Sequence, residues 1–166
     1  MQLRGPVEWA LHCCAVLAGL APERYLPTRD LADFHGVPKE YLSKALQALS
    51  QAGLVESTLG PSGGYRLARS PEAITFLDIV EAVEGKAGTF VCTNIRRNNP
   101  CLTAGEAKNL CTDGKPCAIA RVMWQADRAW RDALRAVSLA DLLKTLETDL
   151  PAGLLRRGKT WIEEHS

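Results

Sequence analysis

The sequence predicts a mostly α-helical fold carrying one small β-hairpin. Three observations lead there. Apolar residues recur at helical spacing over residues 6–20, 39–52 and 117–137. Between the second and third of these, Leu54-Val-Glu-Ser-Thr58 alternates like a strand, a turn with three glycines and a proline follows, and Tyr65-Arg-Leu-Ala68 returns as a second strand. Glycines stand where helices must stop, at Gly36, Gly53 and Gly85.

Composition bounds what such a fold can do. The 166 residues suffice for one ordinary domain or two small ones, and a hydrophobic content of 46% is that of a folded globular protein. No apolar run approaches the ~20 residues that a membrane span needs. The N-terminal stretch is interrupted by Glu8 and His12 and shows no signal-peptide cleavage pattern. A cytoplasmic location is therefore expected, and that reducing compartment disfavours structural disulfides among the six cysteines. Net charge is +1, and residues 1–70 hold seven Lys or Arg against six acids, so bulk charge discloses no nucleic-acid partner.

In the first helix, Val7, Leu11, Cys14 and Leu17 or Ala18 form one apolar stripe. Glu8 and His12 are four apart and share another face, with Trp9 beside them. Thr28 is a suitable N-cap for a short helix from Arg29 to His35, which Gly36 ends. Pro38 opens the next helix, Lys39 to Ala52, whose buried stripe is Leu42, Ala45, Leu46 and Leu49. Two helices joined at a glycine make a helix-turn-helix layout. The early exposed positions of its second helix, Lys39, Glu40, Ser43 and Lys44, are then the candidates to face a DNA major groove. The hairpin that follows reads as a wing. Gly63 and Gly64 would let backbone N–H groups approach phosphates, and Arg66 and Arg69 would add phosphate contacts. Thr75 with Asp78 caps another helix, which ends at Gly85.

Four of the six cysteines, Cys92, Cys101, Cys111 and Cys117, lie in a stretch rich in Asn, Gly, Pro and Thr. Such a stretch reads as a loop, and loops with several cysteines are tied down by disulfides, a metal or an iron–sulfur cluster. From Cys117 to Val137 there is no glycine or proline. Ile119, Val122, Met123, Ala126, Ala129, Trp130, Ala133, Leu134 and Val137 give this helix a broad apolar stripe that calls for a partner surface. Ser138 and Asp141 begin a further short helix by a capping box, and residues 151–166 form a tail with no assigned role.

The run GPSGGYRLARSPEAITFLDIVEAVEG, placed directly after the helix-turn-helix, resembles the Rrf2 family of winged-helix transcriptional regulators. The resemblance extends over nearly the whole chain. It implies a mostly α fold with a small hairpin wing, a winged helix-turn-helix plus a long dimerisation helix, and not an enzyme. The implied organisation is a DNA-binding domain over 1–85, a cluster-binding loop over 86–117, the dimerisation helix and a short helix over 118–150, and a tail over 151–166. The implied partners are a double-stranded DNA operator and a second copy of the chain.

The resemblance also orders the cysteines. Members hold an iron–sulfur cluster through loop cysteines about five apart, and here only Cys111 and Cys117 have that interval, with Cys117 at the start of the last long helix. Cys92 and Cys101 stand second. The histidine that some members carry three residues after the last cysteine is Ala120 here, and the arginine they often carry before the wing glycine is Leu59. Some members take an acidic ligand from the partner's first helix, at the position of Glu8, and His12 lies one turn further along the same face. Glu8, His12, Cys111 and Cys117 make the four ligands of a 2Fe–2S cluster, while three loop cysteines with Glu8 would suit a 4Fe–4S cluster. Zinc without redox sensing remains an alternative for the same donors. A thiol oxidoreductase is the weakest, since no CxxC pair is present. Trp9, next to Glu8, is the candidate switch between cluster and DNA-binding head.

Overall fold

The computed structural model describes residues 3, 5–60, 63–110 and 116–166. The helices are α1 (Gly5–Leu17), α2 (Thr28–His35), α3 (Lys39–Gln51), α4 (Phe76–Glu84), α5 (Ala104–Asn109), α6 (Ala118–Arg135), α7 (Leu139–Asp149) and α8 (Ala152–His165). Strands β1 (Val55–Thr58) and β2 (Gly64–Leu67) pair antiparallel, with Glu56 opposite Arg66 and Thr58 opposite Gly64. Short 3₁₀ turns occupy Pro71–Ala73 and Ile95–Asn98. The chain divides into two compact units, Met1–Lys86 with Leu134–Ser166, and Ala87–Ala133.

The first unit is built around α1. Ala10, Cys13, Cys14 and Leu17 of α1 pack with Leu31 of α2, Leu42, Leu46 and Leu49 of α3, and Ile79 of α4. Cys13 and Cys14 are fully buried and act as small apolar residues. Burial pushes both thiols up to about 12, so they stay neutral and unreactive. The turn between α2 and α3 is set by Gly36, whose φ of 63° is left-handed and whose N–H closes back on Asp33 O. One boundary differs from expectation. Pro27, not Thr28, is the N-cap of α2: the Leu31 N–H already donates to Pro27 O at 3.1 Å, so Thr28 lies inside the first turn and its hydroxyl makes no cap.

The capping boxes of α4 and α7 form as expected. Asp78 N–H donates to Thr75 Oγ1 at 3.2 Å, and Thr75 N–H donates to Asp78 Oδ2 at 2.9 Å. Ser138 and Asp141 repeat this arrangement. The two caps lie side by side, because Phe76 N–H donates to Val137 O and Leu139 N–H to Ile74 O. That short pairing returns the chain to the first unit after α6. Residues 152–165 form α8. Trp161 packs on Phe34 of α2 with ring centroids 4.7 Å apart, and His165 stacks on Trp161 at 4.1 Å.

In the second unit the cysteine-rich stretch carries more order than its composition suggests. Thr103 and Glu106 make a capping box that starts α5. The signal, a threonine with glutamate three residues on, was present in the sequence but masked by the surrounding turn residues. On α6 only Ala120 is buried among the described residues. Ile119 and Val122 of the apolar stripe are 68% and 64% exposed. Among the described residues no helix is long and apolar enough to cross a membrane.

Candidate metal centre and nucleic-acid interface

The helix-turn-helix places Lys39, Glu40 and Lys44 in solvent at the start of α3, with Ser43 half-buried. Ser43 Oγ donates to Lys39 O at 2.8 Å, an i−4 bond that a base edge would have to replace or share. The sequence reading passed over Tyr41, which is 57% exposed on the same helix. Lys44 Nζ lies 5.8 Å from the centre of the Tyr41 ring, and Trp9 of α1 meets that ring edge-on at 6.4 Å. Thus α1 touches the candidate reading face directly. Tyr41 was legible only as one exposed position among several; its contact with Trp9 depends on how α1 crosses α3.

The wing holds its predicted residues in unexpected roles. A Cβ on Gly64 would lie 2.4 Å from the Leu26 carbonyl atoms, and one on Gly63 would lie 2.5 Å from Thr58 O. Leu26 and Tyr65 exchange two backbone hydrogen bonds, at 3.0 and 2.9 Å, directly beside Gly64. The glycines are therefore demanded by backbone packing within the protein itself. Gly63 N–H already donates to Gly60 O at 2.9 Å. Arg66 is also engaged: its Nε donates to Glu56 Oε1, its Nη1 lies 3.3 Å from Glu23 Oε2, and its guanidinium sits 4.8 Å from the Tyr25 ring centre. Arg69 Nε donates to Gly53 O at 3.1 Å. Two arginines that the sequence offers to phosphate thus brace the wing internally.

On α1, Glu8 and His12 are both exposed and line one apolar groove with Leu3, Val7, Leu11, Phe76, Leu142 and Leu146. Its volume is about 340 Å³. Glu8 makes no hydrogen bond or ion pair with any described residue, and His12 has a ring contact with His35 at 5.7 Å. His35 was given no role from sequence. Its Nε2 is buried without a hydrogen-bond partner among the described residues, and burial, then nearby His12, hold its pKa below the ordinary imidazole value.

Cys117 lies in the second unit, at the residue before α6. Hydrogen bonds from the backbone N–H groups of Ala120 and Ile119 pull its pKa below the ordinary thiol value, with Arg96 and Arg121 adding to the effect. Arg96 itself is fixed by Nη2 donating to Leu110 O at 2.6 Å and Nε donating to Asn94 Oδ1 at 3.1 Å. The start of the loop is tied to α6: Thr89 Oγ1 donates to Asp127 Oδ1 at 2.8 Å, and Arg131 Nη2 donates to Ala87 O at 2.9 Å. Cys92 is half-buried and Cys101 exposed, and both are free thiols. Cys111 lies outside the described residues. Among the described residues no three His, Cys, Asp or Glu side chains gather within reach of one metal ion.

Comparison with known proteins fits this geometry. The chain matches the Rrf2 family model, described as an iron-dependent transcriptional regulator, over residues 3–145. It is 31% identical over 149 residues to the BadM protein of Rhodopseudomonas palustris, covering 90% of this chain and 85% of that one. It is 27% identical over 147 residues to the transcriptional regulator NsrR of Bacillus subtilis, covering 89% and 93%. Among solved structures, CymR, the global cysteine regulator of B. subtilis, superposes with a TM-score of 0.66 over 87% of this chain and 98% of CymR; at 23% identity this is a likeness of fold. With a helix-turn-helix, a hairpin wing and a family match over most of its length, the chain belongs to the Rrf2 family of DNA-binding transcriptional regulators.

Proposed function

We propose that this protein is a cytoplasmic, homodimeric regulator whose operator affinity is set by an iron–sulfur cluster shared between subunits, a 2Fe–2S centre rather than a 4Fe–4S one. The ligands would be Glu8 and His12 of one subunit with Cys111 and Cys117 of the other, Cys92 and Cys101 being the reserve. The observation that carries this is Cys117, a thiol drawn toward thiolate by the N-terminus of α6, because the thiolate is the form that binds metal. The other donors suit the group as well: an exposed carboxylate and imidazole one turn apart, neither hydrogen-bonded to a described residue. Zinc would accept the same donors, and the description of the family as iron-dependent favours iron. When bound, the cluster supplies reversible one-electron chemistry.

The chain's own residues supply the rest. The uncovered apolar face of α6, with Ile119 and Val122 mostly exposed, gives a second copy a surface to bury. Members of this family act as dimers. Glu8 and His12 would tie α1 to the partner's loop, and Trp9, next to Glu8, carries any shift of α1 to Tyr41 on α3. Lys39, Glu40, Ser43 and Lys44 would read the operator in the major groove.

The test is anaerobic purification followed by absorption spectroscopy and iron and sulfide analysis. A red-brown protein with sulfide-to-iron charge-transfer bands supports the reading; a colourless one refutes it. Mixing a Glu8→Ala/His12→Ala variant with a Cys111→Ala/Cys117→Ala variant then tests the shared site. Heterodimers with ligands from both subunits regain one intact site, whereas a site confined to one chain regains none.

A further inference from the structure

Helix α8 lies beyond residue 145, where the family match ends. It is docked on the DNA-binding head. Trp161 packs on Phe34, near the C-terminal end of α2, with ring centroids 4.7 Å apart. Ile162 packs against the buried core, and a Cβ on Gly19 would lie 3.3 Å from its Cδ1. Glu164 and His165 border a depression with Pro27 and Asp30, at the start of α2. Thus α8 runs antiparallel along α2, and its earlier residues lie past Phe34, on the side of the Gly36–Pro38 turn that leads into α3.

Two arginines stand on that part of α8. Arg156 and Arg157 are exposed and precede Trp161 by about 6–8 Å along the helix axis. They border one depression together with Trp161, so they project on the side of α8 that meets α2. No acid stands three or four residues from either, and neither has a hydrogen-bond or ion-pair partner among the described residues. Lys159, by contrast, lies 4.0 Å from Glu163. On α2, Asp33 next to Phe34 is already paired with Arg29 at 3.7 Å. The turn after it is uncharged, and Lys39 follows. An exposed arginine is ordinary on a protein surface. This pair stands beside the turn that delivers the reading helix. In a helix-turn-helix the start of the second helix meets base edges while the first helix crosses the backbone. The end of α2 is then held over the phosphates that border the groove, within reach of two long cationic side chains.

We infer that α8 is a further DNA-binding element, whose Arg156 and Arg157 pair with backbone phosphates bordering the groove that α3 enters. The inference rests on DNA reading by α3 and is independent of the cluster. A guanidinium presents a planar fork that matches phosphate oxygens. Phosphate contacts carry no base information, so these two add affinity and hold register equally on any sequence. Each also displaces a condensed counterion, so α8 steepens the salt dependence of binding.

The test uses the full-length dimer, a duplex enriched from a random-sequence library by the wild-type protein, and a random duplex of the same length. Both side chains are exposed, so Arg156→Gln/Arg157→Gln should unfold at the wild-type temperature. It should enrich the same sequences as the wild type and bind both duplexes more weakly by one common factor. Its plot of log affinity against log salt should be shallower by about one for each lost contact, about four per dimer. Ethylating single phosphates should block the wild type at positions in each half-site where it no longer blocks the variant. Arg156→Lys/Arg157→Lys, which keeps the charge, should keep most of the salt slope. A wild-type salt slope in the glutamine variant overturns the inference and leaves DNA reading by α3 standing. So does a shallower slope with an unchanged set of blocking phosphates, which marks a long-range effect of charge only. Lys44→Ala is the contrast, since loss of a base contact should change the sequences enriched. A wild-type protein that enriches no duplex overturns the reading by α3 and the inference together.

Discussion

Replacing Gly64 by alanine tests whether the wing glycines serve the protein or the DNA. The added methyl would lie 2.4 Å from the Leu26 carbonyl carbon and oxygen and 2.7 Å from Pro27 N. None of these atoms is the end of a flexible side chain, so the hairpin must lift away from the segment before α2. Forced overlap of this kind costs about 1–3 kcal/mol. Lifting also endangers the two hydrogen bonds between Leu26 and Tyr65, each contributing about 0.5–1.5 kcal/mol. The expected loss is roughly 2–6 kcal/mol of stability in the absence of any DNA. It is measured by urea unfolding at one fixed subunit concentration, since dissociation of a dimer is linked to unfolding. Operator affinity of the folded variant is measured alongside. If Gly64→Ala unfolds at the wild-type urea concentration but loses operator binding, the glycine exists for phosphate approach and the packing argument is wrong.

Two further outcomes are expected. Lys44→Ala should weaken specific operator binding by about 1–3 kcal/mol if the lysine meets a base edge; wild-type affinity in a competition titration would move the reading face off this part of α3. Operator affinity should differ about 5- to 150-fold between the two redox states of the intact cluster-loaded dimer, a coupling of about 1–3 kcal/mol. Equal affinity would leave cluster loss as the signal, and a redox effect that persists unchanged in Trp9→Ala would remove the tryptophan from the route.

Much of this fold was written in local signals. The boxes at Thr75–Asp78 and Ser138–Asp141, the stop at Gly36 and the hairpin about its glycines all depend on residues within a few positions of one another. What escaped depends on distant partners. Arg66 is paired with Glu23, 43 positions away in a loop with no regular pattern, and with its cross-strand neighbour Glu56. Periodicity assigns Tyr41 to the exposed side of α3, yet only the crossing of α1 over α3 brings Trp9 against it. The proposed ligand set rests on residue type and on the family resemblance; its donors lie in two separate units of one chain, and Cys111 falls outside the described residues.

The placement of α1 shows why a signal at its surface would travel as motion of the helix. One face, with Ala10, Cys13, Cys14 and Leu17, is wholly buried among α2, α3 and α4. Close-packed interiors do not deform continuously, so a helix embedded in this way shifts as a body or not at all. Its other faces divide two tasks: Glu8 and His12 stand exposed on the groove beside α7, and Trp9 lies against Tyr41 on α3. The cysteines divide in the same manner. Cys13 and Cys14, raised to about 12, remain neutral thiols in the core, while Cys117 is drawn toward thiolate at the end of α6. Of these three thiols Cys117 alone is drawn toward the form that binds a metal, while the two in the core of α1 stay neutral and leave its packing undisturbed.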